Sequence, residues 1–178
     1  MGSTSEAALR IAVDAAAGRG AQVRCITGPD LVLPMYEGPG GARDARTAAL
    51  VDAVRWADGL IIASPGYHGA VSGLVKNALD YIEDLRLEPD GTAASRPYLD
   101  GVAVGCIAVA AGWQAAVSTL HQLRTIVHSL RGWPTPYGAA VNTQALDSEG
   151  DGNDHLEIIG RQVVEFAWMR RAGEADDD

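Results

Sequence analysis

Ser64-Pro65-Gly66-Tyr67-His68-Gly69-Ala70-Val71-Ser72-Gly73-Leu74-Val75-Lys76-Asn77-Ala78-Leu79-Asp80-Tyr81 is the stretch whose reading decides the fold of this chain. It follows Gly59-Leu60-Ile61-Ile62-Ala63, an unbroken apolar run with β-branched residues at its centre, which reads as a strand buried on both faces. A Pro/Gly-rich turn then leads into a helix. Its Leu74, Ala78, Tyr81, Ile82 and Leu85 fall three or four apart on one face, while Lys76, Asp80, Glu83 and Asp84 fall elsewhere. Lys76 and Asp80 can pair across one turn, although an exposed pair of this kind is worth only about 0.3–0.5 kcal/mol. In an open α/β sheet such a turn sits at the carboxyl end of a strand. There Gly66 and Gly69 let backbone approach a flat ligand and Tyr67 can lie against it. An ordinary βα connection with glycines for the turn accounts for the same residues about as well.

Outward from this stretch the chain alternates strand and helix patterns. Toward the N-terminus, Asp44 to Ala57 reads as a helix with Leu50, Val51, Val54 and Trp56 partly buried, and Ala21 to Thr27 as a strand. Before that comes a helix carrying Ala8, Ile11, Ala12 and Ala15, opened by Ser3 and Glu6 in the form of a capping box. The same helix start, with its free N–H groups, its dipole and the hydroxyls of Ser3 and Ser5, could instead hold a phosphate. Gly38-Pro39-Gly40-Gly41 lacks the strand and spacing of a dinucleotide fingerprint and reads as a flexible loop.

Toward the C-terminus, Arg86 to Asp100 is long enough to be either a lid over a ligand site or a mobile solvent loop. Gly101 to Val109 reads as another buried strand, ending in Ala110-Ala111-Gly112-Trp113-Gln114. The helix after it has Ala116, Leu120, Leu123, Val127 and Leu130 at core or helix-pair spacing. Trp113 could stack on a ring or fill a subunit interface. Trp133 to Gly138 leads into a short last strand, Ala139 to Asn142, and His155 to Arg171 is a final helix. The alternation indicates an α/β fold with a parallel sheet covered by helices. It is expected as one domain over 1–172, with 173–178 a disordered acidic tail.

Composition narrows the function. The net charge of −9 argues against nucleic acid, whose phosphates need clustered Lys and Arg, and Lys76 is the only lysine among fourteen basic residues. No apolar run reaches the roughly 18 residues of a membrane span, no signal peptide is apparent, and a cytoplasmic location is expected. Cys25 and Cys106 each fall in an expected buried strand, with no C-x-x-C or Cys/His cluster to suggest a metal. A G-x-x-x-x-G-K-[ST] loop, a G-x-S-x-G elbow and an H-E-x-x-H pair are all missing. His68 is the one histidine on the site loop; His121 and His128, beside Arg124 and Arg131, read as a solvated helix face.

Residues Ser64 to Tyr81 resemble the signature of the NADPH-dependent FMN reductase family, [ST]-P-x-Y-[NH]-G-[ST]-x-x-G-x-[LV]-K-N-A-[LI]-D-[WY], with Ala70 the clearest departure. Weaker similarity reaches to about Asn142, including Leu33-Pro34-Met35-Tyr36-Glu37 against an L-P-x-[YF]-[DE] loop. The resemblance implies a flavodoxin-like doubly wound sheet of order 2-1-3-4-5 with helices on both faces. It also implies an FMN ring gripped by Pro65, Gly66, Tyr67, His68 and Gly69 on one side and by Ala111, Gly112 and Trp113 on the other.

Ser3 and Ser5 match the last two hydroxyl positions of the family's G-S-x-R-x-x-S-x-[ST/N] phosphate loop. The first strand and the G-S-x-R part of that loop, about ten residues in a family member, are expected ahead of them and do not appear in this sequence. The implied activity is hydride transfer from NADPH or NADH through flavin to a free flavin, quinone, azo compound or similar acceptor, with the flavin carrying the chemistry and no catalytic side chain required, His68 being the one candidate. A homodimer or homotetramer, with no metal, nucleic acid or membrane partner, is expected. A flavin-free member repurposed as a partner subunit or small-molecule binder is the alternative.

Overall fold

Every residue from Ala103 to Ala110 is buried, because the strand they form is paired on both edges and covered on both faces. The structure, a computed structural model, describes residues 2–145 and 153–176. In chain order its elements are helices α1 (Thr4–Gly18) and α2 (Ala45–Trp56), strands β1 (Gly59–Tyr67) and β2 (Ala70–Val71), helix α3 (Gly73–Asp80), strand β3 (Ala103–Ala110), helix α4 (Trp113–Ser129), strands β4 (Trp133–Pro134) and β5 (Ala139–Asn142), and helix α5 (Asp154–Asp176). Single 3-10 segments cover Gly28–Leu31 and Tyr81–Arg86.

Strand β3 pairs in parallel with β1 from Gly59↔Ala103 to Pro65↔Val109. On its other edge it pairs with β4 and then β5, which together act as one strand interrupted at 135–138. These three parallel lines are the 3-4-5 half of the expected order. The period-2 alternation of β3 sorts its side chains between two helical layers. Val104 and Cys106 join Leu50 and Val54 of α2, Val75 and Leu79 of α3, and Leu123 and Val127 of α4. Ile107 and Val109 face Ala8 and Ala12 of α1 and Leu156 and Ile159 of α5. Small residues let the second layer sit close: a Cβ on Gly160 would collide with the Ala12 carbonyl, so α1 and α5 cross with their backbones in touch. The fold is α/β with a mostly parallel sheet and helices on both faces.

Several expectations need correcting. Residues 21–27 form no strand: Ala21 and Thr27 are half-buried, Gln22 to Cys25 are exposed, and the segment has no ladder partner among the described residues. An extended segment without a neighbour has nothing to pair with, whatever its propensity. Cys25 is consequently exposed, whereas Cys106 is buried as expected. Strand β1, read as buried on both faces, is half-buried from Gly59 to Ala63, because among the described residues no strand pairs with one edge of that stretch.

The segment 86–100 is no lid. It runs into β3 at the amino end of the sheet, with Leu99 fully buried and its N–H donating to the Leu130 carbonyl at 3.0 Å. It is bound there by the ion pair of Glu88 with Arg55 and by Arg96 donating to the Arg55 carbonyl. Tyr67 stands at the opposite end. The expected 74–85 helix passes from α to 3-10 geometry at Tyr81, and Leu74 is exposed rather than on its buried face. At the C-terminus, α5 continues to Asp176 instead of ending at Arg171.

Candidate functional site

The turn after β1 is a two-residue hairpin. Tyr67 pairs with Ala70 across His68 and Gly69, whose φ angles are 53° and 80°. Both central residues are left-handed, as a type I′ turn demands, and histidine tolerates that region better than most side chains. The His-Gly pair is therefore required by the backbone before any chemistry is asked of it. Helix α4 holds the tip from below: the Gly69 carbonyl accepts from Ser118 Oγ at 2.9 Å and from Gln122 Nε2 at 2.8 Å. Gly66 lies close against the same helix, where a Cβ would stand 2.6 Å from Thr119 Oγ1.

The rest of the signature stretch fastens neighbouring segments. Buried Ser64 Oγ accepts from the Ser72 N–H at 3.0 Å, and Ser72 Oγ in turn accepts from the Val75 N–H, capping α3. Asn77, also buried, accepts from the Tyr36 N–H at 2.9 Å and donates to the Pro34 carbonyl at 2.8 Å, to which Tyr81 Oη donates as well. Arg43 completes this clamp with a bidentate pair to Asp84, at 2.6 and 2.9 Å, while lying about 5 Å from the ring centres of Tyr36 and Tyr81. Sequence reasoning missed Asn77, Ser118 and Gln122 as positioning residues. Asn77 stood inside the quoted stretch, but Ser118 and Gln122 gave no signal, since their partner is a backbone carbonyl 49 and 53 positions away.

At the other strand tip, Gly112 caps α4 with φ −166° and no side-chain hydrogen bond, which leaves the first amides of a 17-residue helix open to a ligand oxygen. Trp113 beside it is 48% exposed and Tyr67 is 64% exposed. The N-terminus of α1 makes the third side. Ser3 Oγ accepts from the Glu6 N–H and lies 3.0 Å from Ser5 Oγ. The Glu6 carboxylate, which a full capping box would turn back to the helix start, instead takes Arg10 Nη2 at 2.6 Å. This bond holds the Glu6 carboxyl below its ordinary range, with the Thr27 hydroxyl adding to the effect.

One cavity of about 1140 Å³ connects these parts. At its mouth lie Ser3, Ser5, Pro65, Tyr67, Ala111 and Thr143, so the structure gathers five of the expected site residues at one opening. His68, Gly69, Gly112 and Trp113 are on the rim of the tips and do not line it, and Gly66 sits behind, against α4. Below the mouth the cavity continues as a trough between residues 21–28 and β1. Among the described residues, no group of three His, Cys, Asp or Glu could hold a metal ion.

Comparisons with known proteins agree with this geometry. Residues 1–147 match the family described as NADPH-dependent FMN reductase. An NADPH azoreductase of Bacillus sp. (strain OY1-2) is 32% identical over 139 residues, covering 77% of this chain and 71% of that protein. An FMN-dependent NADPH-azoreductase of Staphylococcus saprophyticus is 33% identical over 118 residues, covering 62% of this chain and 55% of the relative. The chain thus spans about half the length of such staphylococcal relatives. Among solved structures, the FerB flavoenzyme of Paracoccus denitrificans superposes with a TM-score of 0.66 at 17% identity, over 94% of this chain and 91% of that one. A flavone reductase gives a TM-score of 0.71 at 16% identity, over 92% and 58%. With a flavodoxin-like sheet, a glycine-bearing strand tip and a family match over most of its length, the chain belongs to the NADPH-dependent FMN reductase family.

Proposed function

We propose that this protein is an FMN-dependent NAD(P)H oxidoreductase that reduces a small acceptor, with azo compounds first among the candidates and quinones and free flavins behind them. The observation that carries the reading is the convergence of three elements on one cavity mouth: the β1 tip with Pro65 and Tyr67, the β3 tip with Ala111, and the start of α1 with Ser3 and Ser5. The residues present fit the cofactor. Hydroxyls at the positive end of a helix suit a phosphate, and the open amides of α4 suit the carbonyl oxygens of a flavin ring. Two exposed aromatic faces, Tyr67 and Trp113, suit the ring itself.

When bound, FMN supplies the redox chemistry, taking a hydride from a reduced nicotinamide and passing two electrons to the acceptor. The chain binds and orients. Ser118 and Gln122 fix the height of the Tyr67 hairpin through the Gly69 carbonyl, and Asn77 ties the 34–36 loop to α3. No side chain needs to carry a proton in this scheme, and His68 at the hairpin tip is accounted for by its turn. The exposed apolar side chains Leu74, Trp113 and Val117 support a second subunit bordering the site, hence a homo-oligomer. A cytoplasmic location belongs to the same proposal; among the described residues no helix is long and apolar enough to cross a membrane.

The test is NADPH oxidation coupled to bleaching of an azo dye by FMN-loaded protein. Turnover above that of free FMN, reduced in Tyr67→Ala, is expected. Activity no greater than free FMN would reject the enzyme in favour of a flavin-free binding protein.

A further inference from the structure

The cavity mouth that Ser3 and Ser5 share also carries a negative charge. Glu6, in the first turn of α1, lines the same cavity, and among the described residues it is the one acid that does so. The one base on the wall is Arg24, whose guanidinium lies over the Trp56 ring, 4.1 Å from its centre. Trp56 ends α2 just before β1 begins, so that positive charge stands at the amino end of the sheet, away from the mouth.

The two carboxylate oxygens of Glu6 face different ways. Oε1 accepts from Arg10 twice, from Nη2 at 2.6 Å and from Nε at 3.2 Å. Oε2 is turned to the helix start, where a Cβ on Gly2 would stand 2.9 Å from it and 3.5 Å from Oε1. The Glu6 side chain is 18% exposed, whereas that of Arg10 is 59% exposed and lies outside the cavity. Water screens the guanidinium more than the carboxylate, so the pair is not neutral as seen from the cavity. The bond to Arg10 also keeps the carboxyl ionised at neutral pH. A helix start offers an anion about half a positive charge, and a full negative charge in its first turn offsets that attraction.

We propose that Glu6 is a specificity-determining residue of the flavin site: its carboxylate opposes the flavin's phosphate, so the protein holds flavin mainly by its ring and distinguishes FMN from riboflavin only weakly. The proposal rests on the reading that the phosphate lies at the start of α1 with Ser3 and Ser5. Riboflavin has the same ring and no phosphate, and meets no such repulsion. Replacing the carboxylate by an amide removes the repulsion and releases the Arg10 guanidinium, one turn away, toward the phosphate. Both effects favour FMN and leave riboflavin as it was.

The test is separate titration of FMN and riboflavin, followed by flavin fluorescence, into the parent chain, Glu6→Gln and Arg10→Gln. The parent is expected to prefer FMN by no more than about tenfold. Glu6→Gln should bind FMN roughly five- to tenfold more tightly and Arg10→Gln more weakly by a similar factor, with riboflavin within about twofold in all three. A purely structural role for Glu6 in α1 would move both flavins together, since they share the ring. An FMN-to-riboflavin ratio unchanged in Glu6→Gln, or FMN bound more weakly there, would overturn the proposal and leave the cofactor reading standing. So would a parent that prefers FMN by about a hundredfold or more. Binding of neither flavin to any of the three proteins would remove the cofactor reading, and this proposal with it.

Discussion

His68 and Gly66 answer to the backbone before they answer to chemistry. His68 sits at φ 53°, so His68→Asn should leave stability unchanged, whereas His68→Val, β-branched in the left-handed region, should lose about 1–2 kcal/mol by urea denaturation. Gly66→Ala pushes a methyl group against Thr119 Oγ1 and the Ala115 carbonyl and should cost about 1–3 kcal/mol. Gly73→Ala, seven residues on with nothing within 4 Å, should be neutral or stabilising by up to about 1 kcal/mol in the same measurement. Asn77→Ala strands the Tyr36 N–H and should cost about 1–3 kcal/mol. The two cysteines should separate by alkylation at pH 8: burial pushes the Cys106 thiol up to about 11 and shields it, while exposed Cys25 reacts.

At the scale of elements, local pattern found the helices better than the strands. Asp44 caps α2 where the sequence begins a helix, because one side chain and one N–H decide it. The Thr47 N–H holds the Asp44 carboxyl below its ordinary range. The stabilisation is thus present above the carboxyl's unfolded pKa and is lost as pH falls through the lower folded value. Glu6 follows the same sign through Arg10. Asp44→Asn, which can still cap, should narrow its stability difference from the parent chain on acidification, as read by thermal melts between pH 6 and pH 2.5. Residues 21–27 show the opposite case. Val23, Cys25 and Ile26 have strand character, but a strand is a property of two segments, and no described residues pair with them.

For the whole molecule, the alternation of elements and the glycine-bearing turn after β1 made the parallel sheet and the site's end of it legible in advance. The Ser64–Tyr81 stretch also carried the family. What could not be read was which residues hold that turn, because Ser118 and Gln122 act on a carbonyl far away in sequence. Nor could the fate of 86–100 be read. Only the burial of Leu99 against the end of α4 shows that this loop belongs to the amino end of the sheet.

The central claim is that a flavin ring seats at the tips of β1 and β3 against Tyr67. Titration of FMN into the protein, followed by flavin fluorescence, tests it most directly. One saturable site, weakened about tenfold in Tyr67→Ala by loss of a ring contact worth about 1.4 kcal/mol, is the predicted result. Saturable binding with the same affinity in both proteins, or none in either, would contradict it.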